Sequence, residues 1–135
     1  MTETRTDEML PEFAGFFENA TRGRLAFPFC RGCGRFHWYP MPRCPHCRGK
    51  DVEWRQVAGR GRLASFTSVL HPFDKSRAHN LPYVVALVQF ADAPGITLVT
   101  NIVGGDIGPL SIGQAVEAVF RTNAAGTSVV EFRVA

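Results

Sequence analysis

Two Cys-x-x-Cys pairs constrain this chain more than any other feature in it. Cys30-Arg-Gly-Cys33 and Cys44-Pro-His-Cys47 stand ten residues apart and contain all four cysteines of the 135 residues. A Cys-x-x-Cys turn aims backbone N–H groups at its own sulfurs and sets two thiolates on one side of a metal. Two such turns facing each other complete a tetrahedral S4 site, the set that zinc takes in structural roles and that iron also accepts. Gly34 follows the first pair and suits a backbone with positive φ; the second pair is followed by Arg48 and only then by Gly49, a departure from that pattern. Two disulfides or four free thiols are the competing readings; a cytoplasmic chain argues against disulfides, and scattered thiols would rarely fall into this double spacing. One structural zinc per chain, held by Cys30, Cys33, Cys44 and Cys47, is the expectation. With four thiolates bound, no coordination position stays open for catalysis. His46 lies between two ligands and is not needed as a donor, since four cysteines already suffice.

Around this core motif the chain divides into three parts. Residues 1–27 hold an amphipathic helix over residues 10–23: Pro11 suits a first turn, Phe13, Phe16, Phe17 and Ala20 share one face, and Gly23 ends it. Gly15 weakens that helix. Residues 28–50, dense in Cys, Pro, Gly and Arg, form the ribbon and are poor material for regular structure. Residues 51–135 read as strands. Val52–Ala58 and Arg62–Leu70 flank Gly59 and Gly61, which suit a tight turn or a bulge in one long bent strand; merged, they count as one strand. Tyr83–Phe90 is nearly all apolar. Ile96–Val103, Ala115–Arg121 and Ser128–Val134 alternate, with Ile96, Leu98 and Ile102, then Val116, Ala118 and Phe120, then Val130, Phe132 and Val134 facing inward. His71–Leu81, Asp92–Gly95, Gly104–Gly113 and Asn123–Thr127 are loops by composition. Five strands with one long connection, between the third and fourth, suit a Greek-key barrel of the OB type; a β-sandwich fragment is the competitor. The fold class expected is therefore mainly β: an N-terminal helix, a zinc ribbon, then a five-stranded OB-fold barrel.

Charge is distributed unevenly. Residues 1–21 hold one Arg against five acids, residues 22–62 hold ten Lys/Arg against Asp51 and Glu53, and the remainder is nearly balanced. The basic middle suits an acidic partner or a phosphate-bearing ligand. Arg31, Arg35, Arg43, Arg60 and Arg62 are candidate phosphate contacts, and Trp38 and Tyr39 candidate stacking surfaces. No Lys or Arg occurs between Arg77 and Arg121, a stretch covering the two strands on which an OB barrel would hold a single-stranded nucleic acid. Phosphate affinity comes mainly from basic side chains, so no nucleic acid is expected. The apolar, uncharged strands and the Phe-striped helix point instead to a covering protein, with Phe13, Phe16 and Phe17 as candidate contacts. The opening MTETRTDEML has no secretory pattern, and Leu81–Ala91 is too short to cross a bilayer. A soluble, cytoplasmic chain with no membrane partner is expected. His37, His71 and His79 read as loop or surface histidines, Ser65, Ser68 and Ser111 lack a nucleophile context, and no catalytic constellation is evident.

The order of these motifs resembles a known family. An amphipathic helix leads to Cys30-x-x-Cys33-Gly34, then Tyr39-Pro40-Met41-Pro42-Arg43 and Cys44-Pro45-x-Cys47. After Glu53-Trp54 and Gly59-x-Gly61 come Pro82-Tyr83-Val84-Val85-Ala86-Leu87-Val88 and Ile112-Gly113-Gln114-Ala115-Val116. From about Phe13 to the C-terminus this is similar to the zinc-ribbon/OB-fold proteins known as domain of unknown function thirty-five. The resemblance implies a rubredoxin-like ribbon. It also implies a non-catalytic accessory subunit of a thiolase-fold enzyme: a thiolase, an acyltransferase, or an aldolase acting on acyl-CoA, including steroid side chains. The partner would supply the catalytic residues in a hetero-oligomer, and a CoA thioester is a candidate ligand. A stand-alone acyl-CoA or nucleotide binder is the runner-up, and a single-strand nucleic-acid binder the third reading.

Overall fold

The computed structural model describes residues 11–69, 83–104, 109–124 and 126–135. The expected loop His71–Leu81 and most of the stretch 104–108 lie outside the described residues. A 3-10 turn at Pro11–Phe13 leads into helix α1 (Ala14–Thr21), which starts four residues later and ends two residues earlier than the expected span 10–23. Phe13 occupies the N-cap position without a side-chain hydrogen bond to cap the helix, so α1 depends on packing rather than on its own ends.

Eight strands follow: β1 (Leu25–Cys30), β2 (Arg35–Phe36), β3 (Val52–Val57), β4 (Arg60–Val69), β5 (Tyr83–Phe90), β6 (Ala93–Ile102), β7 (Ala115–Thr122) and β8 (Ser128–Val134). They make two sheets. The first is the ribbon, in the order β2-β1-β3; the second is a closed barrel in the order β4-β5-β6-β8-β7, with β7 paired back to β4. All neighbouring strands in the barrel are antiparallel except β6 and β8, which meet in parallel at Ile102 and Phe132. This is the five-stranded OB arrangement expected.

The assignment of strands to sheets differs from the reading of the sequence. Val52–Val57 does not continue into the barrel: it pairs along its whole length with β1, from Leu25 opposite Val57 to Cys30 opposite Val52. The barrel's first strand is β4 alone, long enough to pair with β5 and β7 because it bends at a register shift between Leu63 and Ser65. Leu25–Cys30 is a strand although it contains Pro28. The Pro28 carbonyl still accepts a hydrogen bond from the His37 N–H at 3.0 Å. The ribbon is therefore a sheet spanning residues 25–57, not an irregular tract confined to 28–50. The stretch Ala93–Gly95, expected as loop, belongs to β6. Val134, expected to face inward, is 39% exposed at the end of β8.

Ribbon, helix and barrel share one core. Rings pass from Phe16 of α1 to Phe27 of β1 (6.4 Å between centroids), to Phe90 of β5 (5.2 Å) and to Phe132 of β8 (5.9 Å). Phe27 and Phe132 are fully buried. Two glycines mark close approaches. A Cβ at Gly15 would collide with the Trp54 indole of β3, and one at Gly61 would collide with Val88. Gly15 thus costs α1 some intrinsic stability and lets the ribbon lie against it.

Candidate metal centre and adjoining surfaces

The four cysteines converge as their spacing predicts. All four sulfurs lie within 4.8 Å of one another, none is in a disulfide, and Cys30–Cys47 and Cys33–Cys44 are each 3.6 Å apart. Zinc–sulfur bonds of ~2.3 Å in a tetrahedron give sulfur–sulfur edges of ~3.8 Å, so the donor set fits zinc. Cys30 and Cys44 are buried, while Cys33 and Cys47 are exposed.

The two knuckles are built alike. Gly34 N–H donates to the Cys30 carbonyl and Arg48 N–H to the Cys44 carbonyl, both at 2.8 Å. Gly34 has φ 73° and Arg48 φ 63°. Arg48 thus fills, in the second knuckle, the left-handed position that glycine fills in the first. The departure seen in the sequence changes the residue and leaves the turn intact. The Arg43 guanidinium reaches the Arg48 carbonyl at 3.4 Å, which helps to hold that strained residue.

Backbone N–H groups of His46 and Gly49 point at the sulfurs of Cys44 and Cys47, at 3.3 and 3.4 Å. Desolvation works against the Cys44 thiolate, yet the N–H groups of Cys47 and His46 prevail and bring its pKa down to about 6. Desolvation and the neighbouring sulfurs push the Cys33 thiol up to about 12. Four packed sulfurs cannot all ionise without a cation, and a divalent metal supplies that charge.

The candidate phosphate contacts do not form one site. Arg31 is committed to Asp51 at 2.6 Å and Glu53 at 3.5 Å, and the Asp51 hydrogen bond raises its pKa further. Arg43 meets Arg48. Arg62 donates to the Gly113 carbonyl at 3.0 Å, and Arg60 lines a separate groove beside Glu117. Arg35 and Trp38 share a cavity, a cleft of about 490 Å³ between the ribbon and the start of β6. Tyr39 is 61% exposed and lies beside Trp38 and Phe13.

Two expected roles meet a different placement. Phe16 belongs to the chain's own core, packed on Phe17, Phe27 and Trp38 and only 7% exposed. Phe13 and Phe17 are half-buried. His37, read as an ordinary loop histidine, is buried beside the cleft with neither ring nitrogen hydrogen-bonded. Burial, and secondarily the nearby His46, lowers its pKa and keeps it neutral. An unsatisfied buried polar group costs ~1–3 kcal/mol. Nothing in the sequence marked His37, because the cleft it lines is completed by Pro94 and Gly95 of β6, more than fifty residues further along the chain.

The barrel's outer wall has two characters. On β7 and β8 it is laced by ion pairs, Arg121–Glu131 at 2.6 Å and Arg133–Glu117 at 2.7 Å. On β4–β5–β6 it holds Ser65 and Thr67, then Val85, Leu87 and Gln89, then Thr97, Val99 and Asn101. The register places Leu87 between Ser65 and Val99, and Val85 between Thr67 and Asn101. That wall carries no charge from Ser65 onward, and Val99 at its centre is 56% exposed. Among the described residues, no helix is long and apolar enough to cross a membrane.

Comparison with known proteins follows the same division. Residues 17–53 match the ChsH2 rubredoxin-like zinc ribbon domain, and residues 54–121 match the ChsH2 C-terminal OB-fold domain. A "DUF35 domain-containing scaffold protein" of Methanothermobacter thermautotrophicus is 33% identical over 123 residues, 90% of this chain and 84% of that protein. A "probable enoyl-CoA hydratase alpha subunit" of Thermomonospora curvata is 38% identical over 103 residues, 76% of this chain; the match spans only 31% of that longer protein. Among solved structures, a chain described as "Ltp2-ChsH2(DUF35) aldolase" superposes with a TM-score of 0.81 at 32% identity, covering 93% of this chain and 96% of that one. With both of its domains matched in order, the chain belongs to the ChsH2 family of zinc-ribbon/OB-fold proteins.

Proposed function

We propose that this chain is a non-catalytic accessory subunit that docks onto an acyl-CoA-processing enzyme of thiolase fold, with an acyl-CoA retro-aldolase as the favoured partner. The observation that carries this reading is the end-to-end likeness to a chain of an aldolase assembly. The name "scaffold protein" borne by a relative of nearly the same length agrees with it. The chemistry of the chain supports it as well. Carbon–carbon cleavage beside a thioester needs a nucleophile or base and donors for the developing oxyanion, and the four cysteines here converge on one metal centre. Zinc bound by four thiolates stabilises the ribbon and has no open position for substrate.

The uncharged wall of β4–β5–β6 is the surface we assign to the partner. A cytoplasmic setting and a hetero-oligomer go with that assignment. Exposed Val99 and half-buried Leu87, ringed by Ser, Thr, Asn and Gln, match the apolar centre and polar rim of a protein interface, whereas the ion-paired wall opposite is already satisfied. Phe13 and Phe17 remain as candidate flanking contacts and Phe16 does not. Of the candidate CoA contacts, Arg35 and Trp38 share a cavity.

The test is isolation of the tagged chain from its native cells, as wild type and as Val99→Arg. The wild type is expected to retain an acyl-CoA enzyme and its activity. The variant is expected to lose both while melting like the wild type. Turnover of an acyl-CoA substrate by the purified single chain would defeat the reading.

A further inference from the structure

The ribbon sheet ends on an open edge. Among the described residues β3 pairs with β1 alone, and Pro28 shows which backbone groups that pairing leaves over. Proline has no N–H to give to a ladder, and the Pro28 carbonyl is turned toward the β2 side, where it accepts from His37 at 3.0 Å. A strand residue points its N–H and C=O the same way, and its neighbours point theirs the opposite way. Phe27 and Phe29 therefore face β3, where their partners are Arg55 and Glu53. The Arg31 N–H donates to the Asp51 carbonyl at 2.9 Å in the same phase. Trp54 and Gln56 are left with N–H and C=O groups directed away from β1, and among the described residues nothing bonds them. Only the two ends of the edge are closed. There the Ala58 N–H donates to the Asp92 carboxylate at 2.8 Å, and the Val52 N–H to the Lys50 carbonyl at 2.9 Å.

An open edge of this kind is completed by another strand, and the side chains of β3 select which. Glu53 and Arg55 share the face of the sheet that carries Phe29. They bond each other at 2.7 Å, and the Arg55 guanidinium lies 3.6 Å over the Phe29 ring, so both charges are held beside the edge. A second copy of β3 can add antiparallel across a two-fold axis. Three registers bring the outward groups of Trp54 opposite those of Val52, Trp54 or Gln56. With the axis on Glu53 or on Arg55, two like charges stand directly opposite. With the axis on Trp54, Glu53 stands opposite Arg55 of the second copy, twice, and the four charges alternate in sign. The Trp54 N–H and C=O then meet those of the other Trp54, and each Gln56 N–H meets a Val52 carbonyl. We propose that β3 pairs with β3 of a second copy about Trp54, joining two ribbons into one six-stranded sheet. Different strands form this edge and the β4–β5–β6 wall, so it stands or falls independently of the docking reading.

The experiment follows sedimentation of the isolated, zinc-loaded chain. So small an interface predicts a dissociation constant on the order of 100 µM, read between about 10 µM and about 1 mM. The mass should rise from 14.9 kDa toward twice that value, and amide exchange at Trp54 and Gln56 should slow in the concentrated sample. Gln56→Pro deletes an outward N–H, leaves the ladder to β1 intact and should weaken association about tenfold. Glu53→Arg and Arg55→Glu each set like charges across the axis, and each should self-associate about tenfold more weakly than the wild type. Mixed in equal amounts, these two single variants restore opposite charges and should associate with each other as the wild type does. If Gln56→Pro fails to fold, the mixing experiment decides the matter. A wild type that stays at 14.9 kDa throughout, single charge variants that associate unchanged, or a mixture without recovery overturns the proposal. Cross-links from an enzyme subunit to Lys50, in place of self-association, would give the edge to that enzyme and overturn the second copy as its occupant.

Discussion

The ribbon and the barrel reach a fixed shape by different means. The ribbon has a two-residue strand, β2, and long connections, and its knuckles are held by backbone bonds to cysteine carbonyls and by four converging sulfurs. Among the described residues the barrel gathers no cluster of metal-ligating side chains, and it relies on alternation, with Leu63, Ala86, Val88, Ile96, Leu98, Val116 and Phe132 buried from five strands. Taken alone, the ribbon has too little apolar surface to fold without a metal. The comparison also shows where the two are not independent. Phe27 of the ribbon lies against Phe90 of the barrel, so the ribbon's strand completes the barrel's core.

The strongest way to break this comparison is to remove the metal. Cys30→Ser or Cys44→Ser replaces a buried ligand, and structural zinc contributes on the order of 10 kcal/mol to such units, comparable to the whole stability of a domain. Loss of zinc and an insoluble or ribbon-disordered product are expected, read by elemental analysis and near-UV circular dichroism. The exposed ligand Cys33→Ser should be milder. A folded, metal-free wild type would contradict the account.

Next in size is the shared core. Phe27→Ala should cost ~3–5 kcal/mol and lower the melting temperature of ribbon and barrel together. Two separate transitions would mean that the units are uncoupled. Phe16→Glu should unfold the isolated chain, since Phe16 lies inside it. Gly15→Ala tests the seam between helix and ribbon: displacing the Trp54 indole should cost ~1–3 kcal/mol, whereas an ordinary exposed helical glycine would gain stability from the same change. Val99→Arg sits at the other extreme, within ~0.5 kcal/mol for the isolated chain.

The smallest effect is the pH dependence of His37. Its pKa in the folded chain lies below the ordinary 6.5, so below that pH the unfolded chain takes up the proton first. The contribution of neutral His37 is present in full above about pH 6.5 and is lost as pH falls toward the folded value. Zinc release also responds to acid, so the measurement is the difference between wild type and His37→Asn. The variant's melting temperature should fall less between pH 7.5 and 5.5.

Much of this architecture was legible in the sequence because it rests on local rules. The spacing of the cysteines gave the centre, and period-two alternation gave β7, β8 and most of β6. What the sequence hid depends on distant partners. Leu25–Cys30 was hidden because it straddles residue 28, where the Cys-, Pro-, Gly- and Arg-dense tract begins, and only its pairing with β3 makes it a strand. Val52–Val57 and Arg60–Val69 looked like one strand because nothing near Gly59 shows that the chain changes sheets there. The knuckle position held by Arg48 looked like a defect, and the left-handed backbone that it adopts is invisible in composition. The scattered arginines looked like a cluster because they are close in sequence. Arg31 was claimed instead by Asp51 and Glu53, on the far side of both knuckles.

The most direct test of the central claim is the composition of the assembly in native cells, measured by mass spectrometry after cross-linking and size exclusion. The account predicts that the chain elutes with an acyl-CoA enzyme, with cross-links from that enzyme falling around the β4–β5–β6 wall and none on the ion-paired face of β7 and β8. A chain that elutes at its own mass of 14.9 kDa, with no partner attached, would contradict it.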